Sequence, residues 1–330
     1  MTDHDKNKYD TVDQETWDFI TTMGSILPNG ANPASIAEQR QNYADICQHF
    51  HQGRPEGVTT EDKLIAGVPV RIYSKNPEPL AQIVYIHGGG FVVGNLDSHD
   101  DVCADICAAS GCSVIAIDYR LAPEHKHPAA LDDCRQVIAH LTEDECPTLV
   151  AGDSAGGWLA AMIGHEMGDM LMGQVLIYPM LGGAMNQGSF ITNADAPMLT
   201  TEQVHYYWEE YFDCPMRMDA PTLPMAYPDI GQSPPTLIIG AECDPLFSDT
   251  PDYAEKLQAH HVWVEVLVAE GLPHGFLRAR HSVKRARDIV AKIMDGITAL
   301  AHGGIDAESD LRLRDDMGGK RNPNVGDVSD

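Results

Sequence analysis

The chain has 330 residues, 43% of them hydrophobic, which is enough to bury one large α/β core and too much for general disorder. Twenty-two basic residues against forty-nine acidic ones leave a net charge of −27. That surface repels nucleic acid and anionic membranes and removes both from the expected partners.

Residues 1–50 read as a helical segment. Asp13 to Met23 carries Trp17, Phe19, Ile20 and Met23, and Pro33 to Phe50 carries Ile36, Tyr43, Ile46 and Cys47, both at helical spacing. Pro28-Asn29-Gly30 separates them. The polar start, Met1 to Asp10, has no apolar signal core, and no run reaches the ~18 apolar residues of a membrane helix, so a cytoplasmic chain is expected. From Val58 the period changes to that of strands. Thr59 to Ile65 and Val68 to Tyr73 form a hairpin around Ala66-Gly67. Six short apolar runs follow: Ile83 to Ile86, Val114 to Ile117, Leu149 to Ala151, Val175 to Tyr178, Thr236 to Ile239 and Val262 to Val268. Helix-period stretches such as Asp101 to Ser110, Ala129 to Leu141 and Asp252 to His260 lie between most of them. Strands alternating with helices imply a mostly parallel sheet covered on both faces, here of eight strands.

Two regions break the alternation. Residues 182–230 are too long for a plain crossover, and Thr200 to Phe212 within them reads as an aromatic-rich helix, so an insertion over the carboxyl edge of the sheet is expected. Residues 303–330 are charged and thinly supplied with apolar side chains, and are expected to be a disordered tail. The chain therefore divides into a helical segment (1–50), a main domain (51–302) interrupted at about 182–230, and the tail. The eight cysteines (Cys47, Cys103, Cys107, Cys112, Cys134, Cys146, Cys214 and Cys243) include no C-x-x-C pair. Cys103 and Cys107 share a helical face without a Cys/His partner motif, so buried reduced thiols are expected and no metal site.

The chemistry concentrates after the fifth strand, at Gly152-Asp153-Ser154-Ala155-Gly156. A G-x-S-x-G turn between a buried strand and a small-residue helix lifts a serine hydroxyl to the sheet edge, and flanking glycines leave it room. Taken alone the pattern also fits a plain β-to-α loop. A nucleophilic serine needs a base, and the base needs an acid. The loop after the seventh strand offers Asp244 and Glu242. The loop after the eighth offers His274. The order Ser154, Asp244, His274 is that of an α/β-hydrolase triad. Asp244 is preferred because Glu242 sits two residues nearer the strand and points to the other side of the loop. The third strand ends in His87-Gly88-Gly89-Gly90-Phe91, whose glycines suit backbone N–H donors to an oxyanion, with the Ala155 N–H as another donor. His125-Lys126-His127 lacks a third ligand and reads as a solvated loop. Arg120 reads as a brace between loops through carboxylate contacts.

His87-Gly-Gly-Gly-Phe91, Tyr119-Arg-Leu-Ala-Pro-Glu124, Gly152-Asp-Ser-Ala-Gly-Gly157, Asp244-Pro-Leu246 and His274-Gly-Phe276 together resemble the hormone-sensitive-lipase-like family of carboxylesterases, in its GDSAG, bacterial acetyl-esterase-like form. The resemblance covers roughly residues 30–300. It implies an α/β-hydrolase fold, Ser154 as nucleophile, His274 as base, Asp244 as its partner, and an oxyanion hole from the N–H groups of Gly89, Gly90 and Ala155. It also implies a helical cap built from the N-terminal helices and the segment after the sixth strand. The chain departs from the family at Trp158, where Asn is usual, at Ser248, and at Lys126-His127. The expected function is that of a serine carboxylesterase acting on small, uncharged, short-chain esters through an acyl-enzyme, with no cofactor or metal, as a monomer or homodimer. The alternatives are an amidase or peptidase on the same triad, or a ligand-binding protein without catalysis.

Overall fold

The computed structural model describes residues 8–26, 35–144, 146–213 and 222–303. The expected break at 28–30, Cys214 and nearly all of the expected tail lie outside the described residues. Eight strands form one sheet: β1 Thr59–Ile65, β2 Val68–Ser74, β3 Gln82–Ile86, β4 Ser113–Ile117, β5 Thr148–Asp153, β6 Gly173–Ile177, β7 Thr236–Cys243 and β8 Val264–Pro273. Their order across the sheet is β1-β2-β4-β3-β5-β6-β7-β8. β1 and β2 pair antiparallel, β2 joins β4 antiparallel, and the remaining five neighbours are parallel.

The helices are α1 Gln14–Ile26, α2 Ile36–Phe50, α3 Asp100–Ser110, α4 Ala129–Leu141, α5 Ala155–Met167, the single turn α6 Ser189–Thr192, α7 Thr201–Phe212, α8 Asp249–Ala259 and α9 Lys284–Ala301. Every residue of β3, β5 and β6 is buried, which is why these strands are continuous apolar runs rather than alternating ones. Side chains still alternate between faces. Val84 and Ile86 join the cluster under α4, α5 and α8, whereas Ile83 and Tyr85 join the cluster under α1, α3 and α9. The outer strand β1, Thr-Thr-Glu-Asp-Lys-Leu-Ile, exposes most of its residues, and its charges discourage pairing with another chain.

Three expectations need correction. The sequence reading assigned no element to residues 284–301, where α9 packs Ile289, Val290, Ile293, Ile297 and Leu300 against the sheet. The last two strands run to Cys243 and Pro273, four and five residues past their apolar runs, because β7 and β8 keep pairing beyond the other strands. His127 does not belong to a solvated loop. Its ring packs 4.7 Å from Phe212, 5.5 Å from Tyr211 and 5.9 Å from Trp158, and burial lowers its pKa. Arg120 makes the expected carboxylate contact, but to a helix and not between loops: it clamps the buried Asp133 of α4 through Nε and Nη2 at 2.8 to 3.0 Å. The fully buried Trp158 packs edge-on to Phe91 below the turn at Ser154.

The 182–230 segment leaves β6 through a fixed point. Asp249, buried in the first turn of α8, accepts the N–H groups of Leu181 (2.8 Å), Gly182 (3.1 Å) and Gly183 (3.1 Å). Burial pushes this carboxyl up to about 7 against the pull of those three donors. Farther along, Thr200 and Gln203 form a capping box that starts α7. Asp249→Ala should therefore destabilise the fold by about 3 kcal/mol or more in urea denaturation, since three buried N–H groups lose their acceptor together. Ser248→Ala, which removes one hydroxyl contact to the Ser189 N–H, should cost only about 1 kcal/mol.

Candidate active site

β5 passes into α5 at Ser154, whose backbone sits at φ 57° and ψ −119°. A non-glycine residue at positive φ costs roughly 1–3 kcal/mol and persists only when its surroundings hold it. Here the Ser154 N–H donates to Ile177 O at 2.9 Å, and its carbonyl accepts from Trp158 N at 3.2 Å and Met180 N at 3.3 Å. The flanking glycines permit close backbone approach to the end of β3. A Cβ on Gly156 would lie 2.0 Å from Ile86 O, and one on Gly152 would lie 2.3 Å from Gly156 O.

The structure brings the three expected side chains into one hydrogen-bonded chain. With its proton on Nδ1, His274 donates to Asp244 Oδ2 at 2.6 Å, leaving Nε2 to accept from the Ser154 hydroxyl at 2.9 Å. Asp244 is wholly buried, and its second oxygen accepts the Leu246 N–H at 2.9 Å. The competing carboxylate is occupied elsewhere: Glu242 Oε2 accepts the Gly271 N–H of β8 at 2.6 Å. Because β7 and β8 end at Cys243 and Pro273, Asp244 and His274 are the first residues past two adjacent strands. The Tyr178 ring packs against the imidazole, 4.7 Å between centroids.

The glycine loop and the serine turn meet over Asp153. This buried carboxylate accepts from Tyr85 Oη at 2.8 Å and from the Gly88 N–H at 3.0 Å, and pairs with His99 Nε2 at 3.3 Å. Burial alone would raise its pKa, yet His99 and the Tyr85 hydrogen bond hold it well below the usual carboxylate range. Gly89 and Gly90 adopt φ of 123° and 59°, and neither N–H has an acceptor among the described residues. Both glycines and Ala155 line the same cavity as Ser154 and His274. Burial pushes the His87 imidazole down to about 4, so it is neutral at pH 7, with Nδ1 2.8 Å from Gly88 O.

The cavity has a volume of about 190 Å³. Apart from Ser154, His274, Asp153, His99, Arg278 and the glycine loop its walls are largely apolar: Met23 and Ile46 come from α1 and α2, Leu199, Val204 and Tyr207 from the 182–230 segment. The Tyr207 ring lies directly over Gly90, where a Cβ would meet it at 2.4 Å. Sequence reasoning gave no site role to Asp153, Tyr178, His99 or Tyr207. Asp153 was inside the serine motif. The others are distant in sequence from any motif, and only the topology brings them here. Among the described residues no cluster of three His, Cys, Asp or Glu could hold a metal ion, and Cys47, Cys103, Cys107, Cys112, Cys134 and Cys243 are buried free thiols.

This architecture has known counterparts. A family model described as alpha/beta hydrolase fold matches residues 83–278. An ethyl acetate hydrolase of Pseudomonas putida is 31% identical over 298 residues, covering 84% of this chain and 93% of that protein. The carboxylesterase NlhH of Mycobacterium tuberculosis is 34% identical over 253 residues, covering 72% of this chain and 78% of its own. The solved structure of a Pyrobaculum calidifontis esterase superposes with a TM-score of 0.77 at 30% identity, covering 85% of this chain and 98% of that one.

The turn's geometry makes its own demand. Gly156→Ala should lose about 3 kcal/mol or more of stability together with its turnover, because the new methyl meets strand backbone rather than a movable side chain. Gly24→Ala, in α1 with nothing within 4 Å of the new Cβ, should gain about 0.5–1 kcal/mol in the same melts.

Proposed function

We propose, from the premise that this chain belongs to the α/β-hydrolase-fold family of hormone-sensitive-lipase-like carboxylesterases, that Ser154 is its nucleophile, His274 its general base and Asp244 the acid that orients and charges the base. The chain is a carboxylic ester hydrolase. The observation that carries the residue roles is the two-bond chain from Asp244 through His274 to Ser154, at 2.6 and 2.9 Å, ending in a cavity lined by Gly89 and Gly90, whose N–H groups have no acceptor among the described residues.

In the first half-reaction Ser154 Oγ attacks the ester carbonyl while His274 Nε2 takes its proton, and Asp244 stabilises the imidazolium. The carbonyl oxygen becomes an oxyanion held by the N–H groups of Gly89, Gly90 and Ala155, the last at the positive end of α5. His274 then gives its proton to the leaving alcohol oxygen as the C–O bond breaks, leaving an acyl-Ser154. Water, deprotonated by the same imidazole, attacks the acyl-enzyme, and the proton returns to Ser154 Oγ as the acid departs. Asp153 keeps the Gly88 peptide in register with the serine turn, so both sets of oxyanion donors are preorganised.

The substrates in this reading are small, uncharged esters with short acyl chains. Residues 1–50 and 182–230 act as the cap, and they supply the apolar wall of a cavity of about 190 Å³. Each methylene adds about 0.8 kcal/mol of binding only where there is cavity left to bury it. The net charge of −27 opposes settling on anionic lipid interfaces. No helix among the described residues is long and apolar enough to cross a membrane. The reading places the chain in the cytoplasm, as a monomer or homodimer acting on dissolved esters.

Ser154→Ala should lower ester turnover by about 10³-fold or more with the melting temperature little changed. Asp244→Asn should lose about 10⁴-fold, whereas Glu242→Gln should stay within about tenfold, and the reverse ranking would assign the acid to Glu242. Along a series of p-nitrophenyl esters kcat/KM should peak at roughly two to six acyl carbons and fall steeply beyond about ten. A maximum at long chains, or a jump in rate as the substrate passes its solubility limit, would contradict the short-chain assignment.

A further inference from the structure

Arg278 stands four residues after His274, in the short turn Phe276–Ala279, and its side chain forms part of the wall of the cavity that holds Ser154. Nη1 donates to Ser98 O at 3.2 Å, Nη2 donates to Tyr43 Oη at 2.8 Å, and the guanidinium lies over the Tyr43 ring, 4.9 Å from its centroid. A guanidinium carries five N–H donors. The other three, including Nε–H, have no acceptor among the described residues. None of the described carboxylates lies within ion-pair distance of it, although two residues on the buried Arg280 is neutralised by Asp101 and Asp105, each at 2.7 Å. An enclosed cation with spare donors and no contacting counter-charge is costly unless a ligand completes it. Everything around it in the cavity except Asp153, His99, Ser154 and His274 is apolar, aromatic or glycine, and the contacts to Ser98 and Tyr43 leave three of its donors without an acceptor among the described residues.

The charge of the missing partner follows from Asp153. That carboxylate lines the same cavity and acts on Arg278 through space, balancing it without touching it. A second carboxylate, brought in by a ligand, would be desolvated opposite Asp153 and repelled by it. A neutral oxygen acceptor would meet the spare N–H groups without adding charge. We infer that the enzyme's preferred esters carry a second, uncharged oxygen acceptor (a ketone, an ether or another ester carbonyl) that Arg278 binds within the cavity. This rests on the esterase reading above and makes Arg278 a specificity-determining residue. A site built to hydrogen-bond such an oxygen rejects the hydrocarbon of the same shape, because burying the hydrocarbon leaves the donors unpaired.

The experiment compares isosteric ester pairs on both sides of the ester bond. On the acyl side these are p-nitrophenyl 4-oxopentanoate and p-nitrophenyl 4-methylpentanoate, and on the alcohol side 2-oxopropyl and 2-methylpropyl butyrate. The expected result is a kcat/KM ratio of about tenfold or more for the ketone in at least one pair. Arg278→Met should bring that ratio to within about twofold of one, and Arg278→Lys should leave an intermediate ratio. Should Arg278→Met fail to fold, Tyr43→Phe decides the matter. It releases one guanidinium donor from its protein acceptor and should keep or raise the ratio. Ratios near one in both pairs for the wild type would overturn the inference. So would an Arg278→Met variant that slows both members alike, as a purely bracing arginine would, or a preference for p-nitrophenyl hydrogen succinate over the isosteric ketone. Because the hydrocarbon esters report Ser154-dependent hydrolysis by themselves, their turnover with a flat ratio would sink this inference while leaving the esterase reading in place.

Discussion

A serine backbone held at φ 57° is the constraint on which the site depends. The turn at Ser154 is sharp enough to stand the hydroxyl up from the sheet edge only because the peptide of Gly156 lies against the carbonyl of Ile86, closer than any Cβ would allow. The strain is held in place by hydrogen bonds to Ile177, Trp158 and Met180, which tie the turn to β6 and to its own helix. Packing the turn against β3 has a second consequence. It brings the glycine loop that leaves β3 to the serine, so the two sets of N–H donors come from one close contact between neighbouring parallel strands.

Asp153 reinforces that contact electrostatically. Its carboxylate bonds the Gly88 N–H and pairs with His99, so the residue before Ser154 also fixes the first peptide of the glycine loop. The opposite side of the site is built by strand length. β7 and β8 pair beyond the other strands, with an irregularity between Ala241 and Cys243, and they deliver Asp244 and His274 side by side at their ends. Residues two apart share a face of a regular strand, so it is the irregularity between Ala241 and Cys243 and the end of β7 that separate the two nearby carboxylates. Glu242 is bound to the backbone of β8, and Asp244 reaches the imidazole.

Much of this was legible in the sequence, for identifiable reasons. The wholly buried parallel strands β3, β5 and β6 are written as uninterrupted apolar runs, and the antiparallel β1 and β2 were legible as a hairpin around Ala66-Gly67. The hydrogen-bonded chain of Ser154, His274 and Asp244 could be read because each member lies next to a glycine or proline turn at a strand end. Other features were hidden. The helix Lys284–Ala301 carries its apolar stripe between charged residues, directly after the His274 motif. The burial of His127 depends on Tyr211 and Phe212, more than eighty residues away in sequence and brought near only by α7. Arg278 was concealed for the opposite reason: in Phe-Leu-Arg-Ala it follows a recognised motif and looks like its polar end. A charge between residues that the fold buries, Phe276, Leu277 and Ala279, was the available signal.

The central claim is that Ser154 itself becomes acylated, and covalent trapping tests it most directly. Diethyl p-nitrophenyl phosphate should release one p-nitrophenolate per chain and leave a diethylphosphoryl group on the peptide containing Ser154. Ester hydrolysis should be lost in proportion to labelling, and the Ser154→Ala chain should take up no label. A chain labelled at another residue with its activity lost, or one fully labelled at Ser154 that still hydrolyses esters, would contradict the account.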